Sequence, residues 1–556
     1  MLSKLPLPFF YFLGAILALN LFQATCTDLL FDEAYYWYYA KNIAWGYFDH
    51  PPMVAWLIKI SGFVFDGELG VRFMSCILSA ATTILLWLTI DHEKKNEFIP
   101  HFFIVVFSMT LLNAYGFFTL PDTPLLFFTA LFLFIYKKFI EGPSMVLAII
   151  LGMVMAALMY SKYHAVLVIF FVLLSNLKLL TNKYAWLAVI VALLCYVPHF
   201  NWLYEHDFVS INYHLFDRPN AAYDFKKYTG GFFVNLIALF GFTFPFVYWS
   251  LFKTKPLNLF TKALLYLTYG VILFFFISSF NRRVQTQWVI VISIPMAIMF
   301  FQYILENALV RKCMVGTGIV TIIALLVLRV GLIYEPLFPI KFETHGNNEW
   351  IDKIHYQAWD IPVVFENSYR NAPMYEFYSG RKAISLNNMS YRKNQYSIDD
   401  SEASLQGQMV LYISKYFNKK TTVAFQRSKK TVYYGKYIKD FETYRKLKCI
   451  IDHKEVEFDQ NTEHVMKIYN PYDVTIPFEK LKFGMAYLNS HKEVREVKRI
   501  PLISLDSTRS FLKAKDTTAF KFKLRKTKLE NPRYFRIGIS ENDLPYGLNG
   551  ENIKIK

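Results

Sequence analysis

No glycine-rich phosphate cradle of the nucleotide type occurs anywhere in the 556 residues, so nothing in the chain supports binding of a nucleotide-linked substrate. Cysteine is scarce and scattered: Cys76, Cys195 and Cys313 fall in or beside apolar runs, and Cys26 and Cys449 lie outside them. That spacing provides neither a disulfide framework nor a zinc site. Residues 340 to 556 lack any stretch near the ~20 apolar residues a membrane span requires. The opening MLSKLPLPFFYFLGAILALNLF is followed by no small-residue cleavage site, so it reads as an uncleaved first helix rather than a signal peptide.

What the chain has is apolar surface. Hydrophobic residues make up 54% and aromatics 18% of it, well above the need of a soluble globular chain. Runs near residues 7–25, 71–90, 99–119, 121–140, 144–160, 164–180, 184–203, 232–252, 262–280, 287–305 and 313–333 give about eleven spans by the ~20-residue rule. The fold class expected is an α-helical polytopic membrane protein with a C-terminal extracytoplasmic α/β plus β portion. The boundary falls near Pro336, giving a membrane region over 1–335, an α/β domain over 336–473 and a β-rich domain over 474–556.

A net charge of +17 would suggest nucleic acid in a soluble protein. Here the lysines and arginines are better explained by cytoplasmic loops and a basic outer domain suited to anionic lipid or glycan, and no nucleic-acid partner is expected. With Lys4 placed in the cytoplasm, alternate loops carry Lys94-Lys95, Lys137-Lys138, Lys178 with Lys183, Lys253 with Lys255, and Arg311-Lys312, as positive-inside bias requires. Every unusual polar cluster then falls on the opposite, outer face, the expected setting being the inner (plasma) membrane.

The densest cluster is the first outer loop, residues 31–56, FDEAYYWYYAKNIAWGYFDHPPMVAW. Charge beside a span must face water, a partner charge or a substrate. Asp32 and Glu33 point about 100° apart on a helix, so one is free to act as a base or charge stabiliser while the other caps or pairs; the alternative is an acidic first turn that serves only the helix dipole. Asp49-His50-Pro51-Pro52 is a rigid turn suited to a metal or a phosphate, or simply an anchor for the next helix. Asp122 reads either as a functional acid or as the start of a helix, with the helix start favoured. Lys162, Tyr163 and His164 interrupt apolar sequence where a cation needs an anion, water or an interface to snorkel to. Arg282 and Arg283 stand on the outer side against the charge trend, which suits phosphate binding. In the outer loop 204–231, His214 is a possible metal ligand beside the ordinary structural role of a lone histidine.

An acidic pair followed by aromatics (Asp32-Glu33-Ala34-Tyr35-Tyr36-Trp37), a Tyr-Phe-acid-x-Pro-Pro turn (Tyr47 to Pro52) and Pro-Asp-x-Pro at Pro121 to Pro124 resemble the GT-C membrane glycosyltransferases. The likeness is to the bacterial branch of lipid A aminoarabinose transferases and relatives of the protein O-mannosyltransferases, and covers roughly residues 5–335. It implies an inverting transfer from a polyprenyl-phosphate sugar on the periplasmic side, without a nucleotide cofactor, to a lipid A, glycan or protein acceptor. By position, Asp32 matches the essential first-loop aspartate and Glu33 its neighbour. Asp49 matches an acid that helps hold a divalent metal, with His214 as the histidine partner. The family's lysine before Pro-Pro is His50 here, which moves phosphate binding towards Lys162, Tyr163, Arg282 and Arg283. Two rivals are a flippase of lipid-linked glycans, which predicts charges inside spans and broken helices in repeated halves, and a non-catalytic envelope-assembly protein.

Beyond the membrane region, Pro362 to Phe365 and Met409 to Ile413 read as strands and Ala372 to Tyr378 as a helix, the pattern of a small α/β layer. Residues 474–556 read as a β-sandwich-like end. Tyr369, Arg370 and Tyr375 are candidates for touching the acceptor, or ordinary members of a packed loop.

Overall fold

The computed structural model describes residues 5–218, 221–416, 423–428, 431–506 and 510–556; Lys4, on which the orientation was built, lies outside them. Two compact units emerge, one of residues 5–208 and 223–345, the other of 209–218 with 221–222 and the described residues from 346 on.

All the apolar runs of the first unit are helical. They begin with α1 (Leu7–Cys26), the loop helices α2 (Phe31–Lys41) and α3 (Met53–Ser61), and α4 (Gly67–Thr89). Then come α5 (Ile99–Ser108), α6 (Thr110–Ala114), α7 (Asp122–Glu141), α8 (Met145–Ser161), α9 (Ala165–Leu174) and α10 (Lys183–Glu205). After the segment around α11 (Val209–Asn212), which belongs to the second unit, follow α12 (Gly231–Ala238), α13 (Phe244–Lys253), α14 (Leu259–Ser278), α15 (Ser293–Glu306) and α16 (Ala308–Ile333). Six helices are long and apolar enough to cross a bilayer, or seven with the bent pair that ends in α12 and α13. The remaining runs form shorter helices, so the eleven runs do not become eleven full spans. The bent pair turns by 98° around Gly241, whose φ of 53° a side chain disfavours and whose added Cβ would meet Thr321 at 2.5 Å.

Local chemistry sets the helix starts at the lysine-rich end. Ser144 accepts from Leu147 N, Asn182 from Tyr184 N and Asn258 from Thr261 N, each satisfying a donor the first turn would leave bare. Between the helices the packing is aromatic: Phe9, Trp87, Phe102 and Phe301 meet ring to ring.

The second unit contains a five-stranded sheet in the order β2-β1-β3-β5-β4. Its strands are β1 (Val363–Glu366), β2 (Ala383–Leu386), β3 (Gln408–Ser414), β4 (Val423–Ser428) and β5 (Thr431–Phe441), with α17 (Asn347–Ala358) and α18 (Asn371–Ser379). β1 runs parallel to β2 and β3, and the continuous burial of β1 and β2 is what a parallel core strand requires. Tyr375 is fully buried and packs on Phe365, which gives it the core role.

From Lys448 onward the chain is β-rich: β6 (Lys448–Ile450), β7 (Glu455–Val456), β8 (Glu463–Tyr469), β9 (Ile476–Pro477), β10 (Leu481–Leu488) and β11 (Val494–Arg499). It ends with β12 (Ile503–Ser504), β13 (Phe511–Leu512), β14 (Thr517–Lys523), β15 (Tyr534–Glu541) and β16 (Ile553–Ile555). Sheets β11-β10-β15-β16-β7 and β12-β14-β8-β6 enclose a core that includes Met466, Ile468, Met485 and Ile537. Because β7 pairs with β16 and β8 with β14, both beyond residue 474, and β6 pairs with β8, the change from α/β to β structure falls before Lys448.

Candidate active site

The first-loop helix α2 is bolted to the membrane helices by Glu33. Both its oxygens receive the Arg72 guanidinium, Nε to Oε1 at 2.8 Å and Nη2 to Oε2 at 2.5 Å. Thr119 N donates to Oε1 at 2.8 Å and Leu30 N to Oε2 at 2.9 Å. Those four donors fill the sites a carboxylate offers. Arg72 gives its remaining donors to the carbonyls of Ala24, Thr27 and Asp28, and both side chains are wholly buried. Of the two roles open to the acidic pair, Glu33 takes the pairing one, and no lone pair is left for a substrate.

Asp32, one step round the helix, is only partly buried. It and Asp122 both lie within electrostatic reach of the buried Tyr115 phenol. The Glu33–Thr119 bond is what carries the 115–122 segment to α2.

Asp49 is buried and accepts the Tyr39 hydroxyl at 2.5 Å. Burial, reinforced by the Asp49 charge, pushes the Tyr39 phenol far above its ordinary value, so Tyr39 stays a donor. His50 packs edge-on against Tyr36 at 5.4 Å between centroids. Gly46 in the same turn admits no side chain: a Cβ there would sit 2.3 Å from the Trp202 ring.

Asp122 opens α7, and its carboxylate turns to the Lys162 ammonium at 2.7 Å, with 5% and 7% of the two side chains exposed. Pro121 holds the N-cap position without a side-chain bond, so Asp122 is an ion-pair partner and not the cap the sequence favoured. Lys162 has three donors to give, and Asp122 takes one.

Tyr163 is hydrogen-bonded to His199 Nε2 at 3.2 Å, and His199 Nδ1 lies 2.7 Å from the Trp45 carbonyl. A carbonyl only accepts, so Nδ1 carries a proton and, in the neutral ring, Nε2 accepts from Tyr163. His199 thus ties the first loop to the 160–163 turn. The loop carrying Arg282 and Arg283 reaches the same turn through Trp288, which packs on His164 at 5.4 Å. Arg283 is exposed and Arg282 partly so.

His214 lies in the second unit, whereas Asp49 lies in the first. There Tyr213 receives Arg392 at 2.8 Å, and Asp217 faces Lys393 and Arg536. Among the described residues no group of three His, Cys, Asp or Glu could hold a metal ion; Asp49 and His214 do not make such a set, and no chemical step is routed through a metal.

Three residues were missed in the sequence. Arg72 and Arg329 are charges inside apolar helices and His199 a polar ring beside Pro198, each an expensive placement that marks a buried partner. Arg329 gives Nε to Asn113 Oδ1 and Nη2 to Asn20 Oδ1 at 2.9 and 2.8 Å.

Residues 49–202 match the family described as dolichyl-phosphate-mannose-protein mannosyltransferase, a span that includes Asp49, Asp122, Lys162 and His199. Lipid A galacturonosyltransferase RgtD of Rhizobium johnstonii is 25% identical over 195 residues, which are 34% of this chain and 41% of RgtD; the match thus spans about two-fifths of that relative's length. The fold is that of ArnT from Cupriavidus metallidurans: its apo structure aligns at a TM-score of 0.56 and 12% identity, over 76% of this chain and 97% of ArnT. The structure of the same protein bound to undecaprenyl phosphate aligns at a TM-score of 0.53 over the same shares. These matches bear out the resemblance drawn from the first-loop residues, and the first unit is that of a multi-pass membrane protein.

Proposed function

We propose that the protein is an inverting glycosyltransferase that moves a sugar from a polyprenyl-phosphate carrier to a cell-envelope acceptor on the periplasmic face. The observation that carries this reading is that a partly buried carboxylate, Asp32, and the buried, ion-paired Asp122 both lie within electrostatic reach of the Tyr115 phenol, on an ArnT-like frame. The acceptor hydroxyl oxygen attacks the anomeric carbon, the bond from that carbon to the donor phosphate oxygen breaks, and Asp32 takes the hydroxyl proton. Lys162, Arg282 and Arg283, with Tyr163 and His50 as hydrogen-bonding groups, stabilise the charge that collects on the departing polyprenyl phosphate. Glu33 positions α2 and does not touch substrate. The undecaprenyl phosphate named in the ArnT structure supports the carrier class, and the RgtD match supports lipid A as the first acceptor to try.

The test is transfer of labelled sugar from a panel of undecaprenyl-phosphate sugars to lipid A and to an envelope extract, wild type against Asp32→Asn. Transfer by wild type that falls about 10²-fold or more in the variant, with donor binding kept, is the expected result. Equal transfer by both removes Asp32 from the mechanism, and none with any donor rejects the proposal.

A further inference from the structure

Towards the end of α7 opposite Asp122, about 20–25 Å away along the helix by its 1.5 Å rise per residue, the helices leave a cavity of about 240 Å³. Tyr136, Leu151, Met155, Leu174 and Ala188 form its walls, from four successive helices. Its mouth is apolar and open to the outside: Leu177 is 62%, Leu180 63% and Trp186 52% exposed. The Trp186 ring is held there by Nε1 donating to the Leu180 carbonyl at 2.8 Å, the placement favoured for tryptophan at a bilayer interface. An exposed apolar rim around an apolar hole is matched to hydrocarbon and not to water.

Three lysines stand at the same end. Lys138 lies in the last turn of α7, Lys178 lies between Leu177 and Leu179 of the rim, and Lys183 begins α10. All are exposed, and none has an ion pair among the described residues; Lys137 beside them is already paired with Asp91, and the acid at this end of α7 is the exposed Glu141. Lys138 and Lys183 rest over the rings of Phe134 and Tyr184, contacts that leave their charge unneutralised, and an apolar slot beside exposed cations without a carboxylate partner is complementary to one class of molecule, a lipid with an anionic head.

We propose that this pocket holds an acyl chain of an anionic phospholipid from the leaflet opposite Asp32, its phosphate held by Lys138, Lys178 and Lys183. The site is separate from the proposed transfer site and does not depend on that chemistry. It is tested with the full chain in detergent by native mass spectrometry, titrating phosphatidylglycerol and phosphatidylcholine of identical tails. Wild type is expected to hold one phosphatidylglycerol about tenfold or more tighter than phosphatidylcholine. The Lys138→Gln/Lys178→Gln/Lys183→Gln variant, altered only at exposed positions, is expected to bind both alike. Leu174→Trp, which fills the mouth, is expected to lose both. Excess glycerol 3-phosphate should leave the bound lipid in place. Equal affinity of wild type for the two lipids, an unchanged preference in the lysine variant, or displacement by glycerol 3-phosphate alone would overturn the proposal.

Discussion

The membrane unit contains two buried ion pairs that are built differently. Glu33–Arg72 is closed: the carboxylate takes four donors and the guanidinium spends itself on Glu33 and three carbonyls. Asp122–Lys162 is open: among the described residues a single 2.7 Å contact engages the ammonium, which has three donors to give. Both pairs pay for desolvation, yet only one recovers it entirely within the protein. Saturation marks the scaffold: of the adjacent acids in one loop sequence, Asp32 and Glu33, Glu33 is the saturated one and holds the helix on which the partly buried Asp32 rides.

The sharpest way to break this contrast is to remove the closed pair. Glu33→Gln/Arg72→Gln leaves carbonyls of residues 24, 27 and 28 without their buried donor, and the expected loss is about 3–5 kcal/mol or more, read as failure to fold or a large drop in thermal unfolding temperature in detergent. A melt close to wild type would show that saturation does not mark the scaffold.

A third buried carboxylate, in the second unit, tests whether an acid without a cation of its own behaves differently. Glu402 accepts hydrogen bonds from Tyr472 and Thr443, and burial, with the Glu541 charge adding to it, pushes it up to about 7 from 4.5 against the Tyr472 bond. Arg445 serves Glu541 at 2.9 Å. The folded state therefore holds the Glu402 proton more tightly than the unfolded chain. Stability from this group is complete below the unfolded value near 4.5 and is lost as pH rises to about 7, a fall of about 3 kcal/mol. Unfolding of the full chain followed from pH 4.5 to 7.5 should show that slope, flattened in Glu402→Gln; identical slopes would remove Glu402 as its source.

A smaller effect is expected where the first loop meets α10. His199→Phe keeps the ring but cuts the Trp45 and Tyr163 bonds, costing about 1–2 kcal/mol and about tenfold in transfer through misplacement of the 160–163 turn. An unchanged rate with lowered stability would make His199 purely structural.

Much of this architecture is legible in the sequence because it depends on local signals. The apolar runs all become helices, the strands at Val363–Glu366 and Gln408–Ser414 stand where β-branched and aromatic residues cluster, and the acidic first loop stands out as the candidate site. What is hidden depends on distant partners. Glu33 meets Arg72 thirty-nine positions on and Asp122 meets Lys162 forty positions on, and nothing near either acid reports which will be saturated. Residues 209–218 look like part of an outer loop of the membrane region, yet Asp217 faces Lys393 and Arg536 and they join the second unit. Short helices and the 98° bend escape hydropathy because it counts apolar residues without seeing where the axis turns.

The most direct test is binding of undecaprenyl phosphate to purified full-length protein, wild type against Asp122→Asn/Lys162→Gln, with thermal unfolding measured on the same samples. Replacing both partners of a buried pair is often near neutral for stability, so the melt should move by less than about 1.5 kcal/mol equivalent while affinity falls about tenfold or more through loss of the ammonium. Unchanged affinity would contradict the open pair as the phosphate site, and a collapse as large as that of the Glu33–Arg72 variant would erase the difference between the two pairs.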